Sequence, residues 1–101
     1  MTPEGKTKTA VKKLLAKHNV WFDMPVPSGF GKSQLDFTCC FYGRMLAIET
    51  KAPGKWLTPL QCRTAWAMYT AGAKVFFISG DDGIRALDCY LSGIPWQLPS
   101  F

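Results

Sequence analysis

The chain has 101 residues, of which 48% are hydrophobic, 14% aromatic and 19% charged. That is an ordinary globular composition, long enough for one domain with a modest core and too apolar for a disordered tail. No apolar run approaches the ~18 residues of a membrane helix, and the polar start Met-Thr-Pro-Glu-Gly-Lys does not read as a secretory signal. The expectation is a soluble, cytoplasmic protein with no membrane partner. Twelve Lys and Arg against seven Asp and Glu give a net charge of +5. Residues 1–55 hold nine basic and four acidic side chains, whereas residues 56–101 hold three of each. A basic first half suggests a polyanionic partner, nucleic acid before membrane, because no basic helix here has a continuous bulky apolar face. A solvated surface that keeps the protein soluble accounts for the same charge.

Taken in chain order, Thr2 is a good N-cap, Pro3 fits the first helical position and Glu4 favours the positive end of the dipole. Val11, Leu14, Leu15 and His18 recur at helical spacing, and Asn19 is a plausible left-handed cap, which predicts a helix over roughly 3–18. Residues 20–26 read as a strand before Pro27, followed by the loop Ser28-Gly29-Phe30-Gly31-Lys32-Ser33. Residues 35–42 alternate, with Leu35, Phe37, Cys39 and Phe41 on one face and Asp36, Thr38, Cys40 and Tyr42 on the other. Gly43 supplies a turn, and residues 45–51 form the returning strand. Thr58-Pro59-Leu60-Gln61 is a capping box that opens a helix with Cys62, Ala65, Trp66 and Tyr69 as its apolar stripe, closed by Gly72. Residues 74–79 look like a fully buried strand, and Gly80-Asp81-Asp82-Gly83 caps a short helix bearing Ile84, Leu87 and Leu91. The tail from Gly93 is not placed. The order is α-β-β-β-α-β-α, an α/β chain with a mixed sheet flanked by helices and read as a single domain over 1–101.

Cys39, Cys40, Cys62 and Cys89 show no C-x-x-C spacing, and His18 is the only histidine, so a zinc site lacks its ligands. Buried free thiols are the expectation, with Cys39 and Cys40 on opposite faces of a strand. His18 is assigned no chemistry, and Asp81 and Asp82 are read as a cap before a metal site.

The hairpin carries the chemistry. If it reverses around Tyr42 and Gly43, paired residue numbers sum to 85, so Phe37 faces Ile48 and Cys39 faces Leu46 on the apolar side. Asp36 then faces Glu49, with Lys51 further along the same face; a one-residue slip would split the apolar pairs, while a slip by two would leave Asp36 and Glu49 diagonal but close. Two opposed carboxylates lie ~5 Å apart and repel, and a divalent cation is one way to offset that repulsion. Lys51 beside them suits a water or a developing phosphate charge, which points to phosphodiester hydrolysis. The plainer alternative is a solvent face on which Lys51 merely neutralises Glu49.

Asp36, then Glu49-Thr50-Lys51 thirteen residues later, then Gln61 at a helix start, resembles the PD-(D/E)XK nuclease pattern. Within that superfamily the chain is most similar to the small stand-alone virus-type replication-repair nucleases (VRR-NUC) of phages. The similarity runs over about residues 2–80: Thr2-Pro3-Glu4-Gly5-Lys6, Met24-Pro25-Val26, the Gly-rich loop, Ala47-Ile48-Glu49-Thr50-Lys51-Ala52 and Leu57-Thr58-Pro59-Leu60-Gln61. Leu35 departs from it, standing where a proline usually precedes the aspartate. The resemblance implies a restriction-endonuclease-like fold and a metal-dependent DNA endonuclease, acting as a homodimer on branched, Holliday-junction-like DNA in phage replication or repair. It implies that Asp36, Glu49 and the Thr50 carbonyl ligate Mg²⁺ or Mn²⁺ and that Lys51 positions the water. Gln61 would sit beside Lys51, although the capping box competes for the same side chain, and Glu4 would approach the site unless it serves only the helix dipole. Lys6, Lys8, Lys12, Lys13, Lys32, Ser33, Arg44 and Lys55 are the expected DNA contacts. A nuclease acting on duplex ends or flaps, and a DNA-binding module without catalysis, are the rival readings.

Overall fold

In a computed structural model of the chain, residues 1–26 and 34–93 are described. Helix α1 spans Pro3–Lys17, followed by strands β1 (Trp21–Asp23), β2 (Phe37–Phe41) and β3 (Arg44–Thr50). Helix α2 (Pro59–Thr70), strand β4 (Lys74–Ile78) and helix α3 (Asp81–Ser92) complete the order α-β-β-β-α-β-α expected from the sequence. The four strands form a sheet in the order β1-β2-β3-β4, antiparallel except for the parallel pair β3 and β4, which α2 connects.

Local chemistry sets the element ends. The Thr2 hydroxyl accepts from Gly5 N at 3.0 Å to start α1. Asn19, at φ 57°, closes it, with Asn19 N donating to Ala16 O and Val20 N to Leu15 O. That pair of bonds is a Schellman motif, and it turns the chain so that Val20 enters the core. Tyr42 and Gly43 take φ 50° and 80°, a type I′ turn whose twist suits a two-residue hairpin. The register is the expected one, with Phe37 opposite Ile48 and Cys39 opposite Leu46.

Val11, Leu14 and Leu15 of α1 and Leu87 and Leu91 of α3 pack with Phe37, Cys39, Phe41, Leu46, Ile48 and Ile78 into one core cluster. Gly83 makes this closeness possible at the start of α3, because a Cβ there would lie 3.1 Å from the Ile78 side chain. Burial pushes the Cys39 thiol up to about 12, with a smaller contribution from Cys40.

Several expectations need correction. The strand expected over 20–26 is only Trp21–Asp23, since Met24 and Pro25 find no ladder partner. Of the cysteines, all free, only Cys39 is buried; Cys40 and Cys89 are exposed. Strand β4 is half-buried apart from Ile78, because it lies at the sheet edge. The apolar stripe of α2 is not core: Trp66 is 67% and Tyr69 61% exposed, and Gln61 is the helix's only buried residue. Asp81 and Asp82 lie in the first turn of α3 and Gly80 has no side-chain cap bond, so both favour the dipole without capping, and Asp82 also pairs with Arg85. Lys32, Ser33 and the tail beyond Gly93 lie outside the described residues.

Candidate active site

The hairpin end remote from the Tyr42–Gly43 turn brings Asp36 and Glu49 together, both almost fully buried at 4% and 2% exposure. Strand β2 begins at Phe37, not at residue 35, and the reason lies in the site. Asp36 N, just before β2, donates to the Glu49 side chain, Oε1, at 2.9 Å, so a backbone donor at the strand entry is met by a side chain of β3. In return, Asp36 Oδ2 accepts from Thr50 N at 3.0 Å and from the Thr50 hydroxyl. The two carboxylates therefore fix one another's strands.

Helix α2 supplies the next partner. The capping box is complete: Thr58 Oγ1 accepts from Gln61 N at 3.2 Å, and Gln61 Oε1 accepts from Thr58 N at 3.0 Å. The other end of the same amide donates from Nε2 to Glu49 Oε2 at 2.9 Å. The expected competition between cap and site does not exist, because an amide has an acceptor for one task and a donor for the other.

Lys51, the expected end of the returning strand, lies one residue beyond the observed β3, yet its backbone N–H still donates to Ile78 O of β4 at 2.9 Å. That bond aims the side chain, whose Nζ lies 3.8 Å from Glu49 Oε2. From α1, Lys8 Nζ reaches within 3.6 Å of Asp36 Oδ1. Glu4, one turn earlier, brings a carboxylate oxygen into a cluster with Asp36 and Glu49, all three ligand atoms lying within 4.8 Å of one another.

Three converging carboxylate oxygens are a donor set for a hard divalent cation, and the residues present fit one. The Thr50 backbone faces Asp36 from β3. In an extended strand a residue's N–H and C=O point to one neighbour, and Thr50 N points at Asp36.

The residues expected to contact DNA divide by place. Lys12, Lys13, Lys6, Arg44 and Lys55 are exposed. At about 100° per residue, Lys6 and Lys13 fall on the side of α1 opposite Glu4, while Lys12 follows Lys8. Arg44 lies at the hairpin turn, the far end of β3 from Glu49. Lys8 stands apart from the set, since it enters the carboxylate cluster. Its signal was its place four residues after Glu4. His18, assigned no chemistry, has a structural partner: its Nε2 lies 2.7 Å from Asp88 Oδ1, tying the end of α1 to α3. This hydrogen bond, helped by burial-opposed but favourable charge from Lys17, holds the Asp88 carboxyl below its usual range.

Comparison with solved structures decides the architecture. A chain described as a VRR_NUC domain superposes with a TM-score of 0.74 at 18% identity, covering 86% of this chain and 95% of its own length. The chain has the VRR_NUC fold. No family model matches the sequence, and no curated protein does. The VRR_NUC fold therefore stands on geometry, not on sequence identity, and the hairpin that carries Asp36 and Glu49 lies inside it. No helix of the described residues is long and apolar enough to cross a membrane.

Proposed function

We propose that the chain is a metal-dependent deoxyribonuclease that hydrolyses phosphodiester bonds, with Glu4, Asp36, Glu49 and the Thr50 carbonyl holding Mg²⁺ or Mn²⁺. The observation that carries this reading is the convergence of three carboxylates within 4.8 Å at the buried end of the hairpin. A divalent cation bound there supplies Lewis-acid stabilisation of the phosphate charge. Asp36 and Glu49 are held rigid for this role by Thr50 and Gln61, so ligand positions are set before substrate arrives. Lys51 Nζ, beside Glu49, orients the attacking water and stabilises negative charge on phosphorus-bound oxygen. The water oxygen bonds to phosphorus and gives up one proton to solvent, the bond from phosphorus to one ester oxygen breaks, and that oxygen leaves with a proton from solvent.

The basic first half of the chain supports DNA as partner, with Lys12, Lys55, Arg44, Lys6, Lys13, Lys32 and Ser33 as phosphate contacts. The resemblance of the sequence to stand-alone phage nucleases supports branched DNA and a role in phage replication or repair, hence a cytoplasmic setting. It also supports a homodimer. The exposed Trp66, Tyr69 and Leu60 of α2 suit that contact, lying in a stretch without the excess positive charge that DNA attracts. Sedimentation of wild type and Trp66→Glu tests the pairing: a dimer that becomes a monomer supports it, and a wild-type monomer contradicts it.

Activity is tested by incubating labelled four-way junction, flap and linear duplex DNA with Mg²⁺, Mn²⁺ or EDTA. Cleavage confined to the metal-containing samples, strongest on the junction, is the expected result. Cleavage of flaps or ends alone would favour the end-acting alternative, and binding without cleavage would favour the inactive module.

A further inference from the structure

Two lysines of α1 face an anion of the chain itself: Lys17 pairs with the half-exposed Asp88 at the helix end, and Lys8 alone reaches a buried carboxylate. The Asp36 carboxylate divides its two oxygens: Oδ2 accepts from Thr50 N and the Thr50 hydroxyl, while Oδ1 lies 3.6 Å from Lys8 Nζ. A carboxylate as buried as Asp36 requires compensating charge close by. Yet 3.6 Å is beyond hydrogen-bond distance, so charge and not geometry holds the ammonium. The Lys8 side chain is 35% exposed, against 16% for Lys51, and so has an outward path that Lys51 lacks.

We propose that Lys8 is a resident counter-ion of Asp36 that a divalent cation displaces, and that the displaced ammonium then holds the substrate phosphate. This rests on the metal-dependent reading above. The charges argue for it. Glu4, Asp36 and Glu49 face Lys8 and Lys51, three negative groups against two positive ones. A divalent cation among the same oxygens makes the ammoniums surplus and repels them. Lys51 is anchored through its backbone bond to β4 and stays. Lys8, on a helix face fixed by the burial of Thr7, Val11, Leu14 and Leu15, can move only its flexible stem, and it swings outward. Cation binding and the seating of Lys8 on Asp36 thus oppose each other, and that opposition is reciprocal.

Isothermal titration of Mn²⁺ into the full chain without DNA tests this, on wild type, Lys8→Met, Lys8→Arg and Lys12→Met. Lys8→Met is expected to bind Mn²⁺ about fivefold more tightly than wild type, with Lys8→Arg and Lys12→Met near wild type. At saturating Mn²⁺, Lys8→Met should also need more protein for half-maximal single-turnover cleavage. In wild type, the Lys8 side-chain NMR signal should shift on titration with Mg²⁺, a readout that needs no variant. Unchanged or weaker Mn²⁺ binding by Lys8→Met overturns the proposal, as does equal tightening in Lys12→Met, which would mark a general effect of charge. If wild type binds no Mn²⁺ at all, the metal reading itself falls. Binding by wild type without a Lys8 effect leaves that reading standing and removes only the counter-ion.

Discussion

Gln61 and Glu49 join α2 to β3 through one bond, Nε2 to Oε2 at 2.9 Å, while the Gln61 carbonyl oxygen caps its own helix on Thr58 N. The position of the helix start and the orientation of a buried carboxylate are therefore one structural fact. The two roles separate by mutation. Thr58→Ala removes the hydroxyl acceptor but leaves the bond to Glu49, so it should cost about 1 kcal/mol of stability with little change in cleavage. Gln61→Ala should cost a similar amount and also slow cleavage by roughly tenfold or more. Urea unfolding and single-turnover rates measure both. Equal effects of the two variants on rate would mean that Gln61 acts only as a cap.

Metal binding should appear as stability. Mg²⁺ or Mn²⁺ is expected to raise the melting temperature of wild type, because a ligand that binds only the folded state stabilises it. Asp36→Asn removes one of three converging carboxylates and should respond less. Thermal denaturation with and without metal checks this, and equal shifts in the two proteins would place the cation elsewhere.

Lysines at the site and lysines around it should fail differently. Lys51 lies 3.8 Å from Glu49 and is largely buried, so Lys51→Ala should depress the chemical step with little change in DNA affinity. Lys12→Ala combined with Lys13→Ala should weaken binding instead, each lost phosphate contact lowering the salt slope by about 0.9 on B-form DNA. Affinity against salt and single-turnover rate decide between them. Normal cutting by Lys51→Ala on saturated DNA would make that lysine another phosphate clamp.

Asp88 links α1 to α3 through His18, and its carboxyl is held below the usual value by that hydrogen bond first. A carboxylate with a lowered folded-state pKa stabilises the fold above its unfolded pKa, and the effect is lost as pH falls through the lowered value. Asp88→Asn should therefore melt below wild type at pH 5–6, with the gap closing as the pH is taken below about 4. A gap that persists unchanged into acid would mean that the pair contributes nothing through charge.

The hairpin is the most legible part of the sequence, because alternation of Phe37, Cys39 and Phe41 against Leu46 and Ile48 excludes a one-residue slip, and the two-residue turn at Tyr42–Gly43 selects the observed register from those slipped by two. That register alone brings Asp36 opposite Glu49. Capping residues were equally direct, as Thr2, Asn19 and Thr58 act through bonds within a few residues. Burial across elements was not. Trp66 and Tyr69 have the spacing of a core stripe, but whether a stripe is covered depends on what packs over α2, which no local pattern encodes. Strand β4 misled for a similar reason, since an apolar run does not reveal that its strand lies at an edge. Lys8 and the Thr50 hydroxyl were hidden because their roles arise only where α1 and β3 meet Asp36.

In the proposed function, the buried carboxylates of Asp36 and Glu49 hold the cation that drives DNA hydrolysis. Single-turnover cleavage of a four-way junction, with protein saturating the DNA and Mg²⁺ or Mn²⁺ in excess, tests it in Asp36→Ala and Glu49→Ala beside wild type. Both variants should bind the junction as well as wild type or better, since each loses a negative charge near phosphate, and neither should cut it. Cleavage by both variants at more than about a tenth of the wild-type rate, a loss of only ~1.4 kcal/mol of transition-state stabilisation, would contradict the assignment.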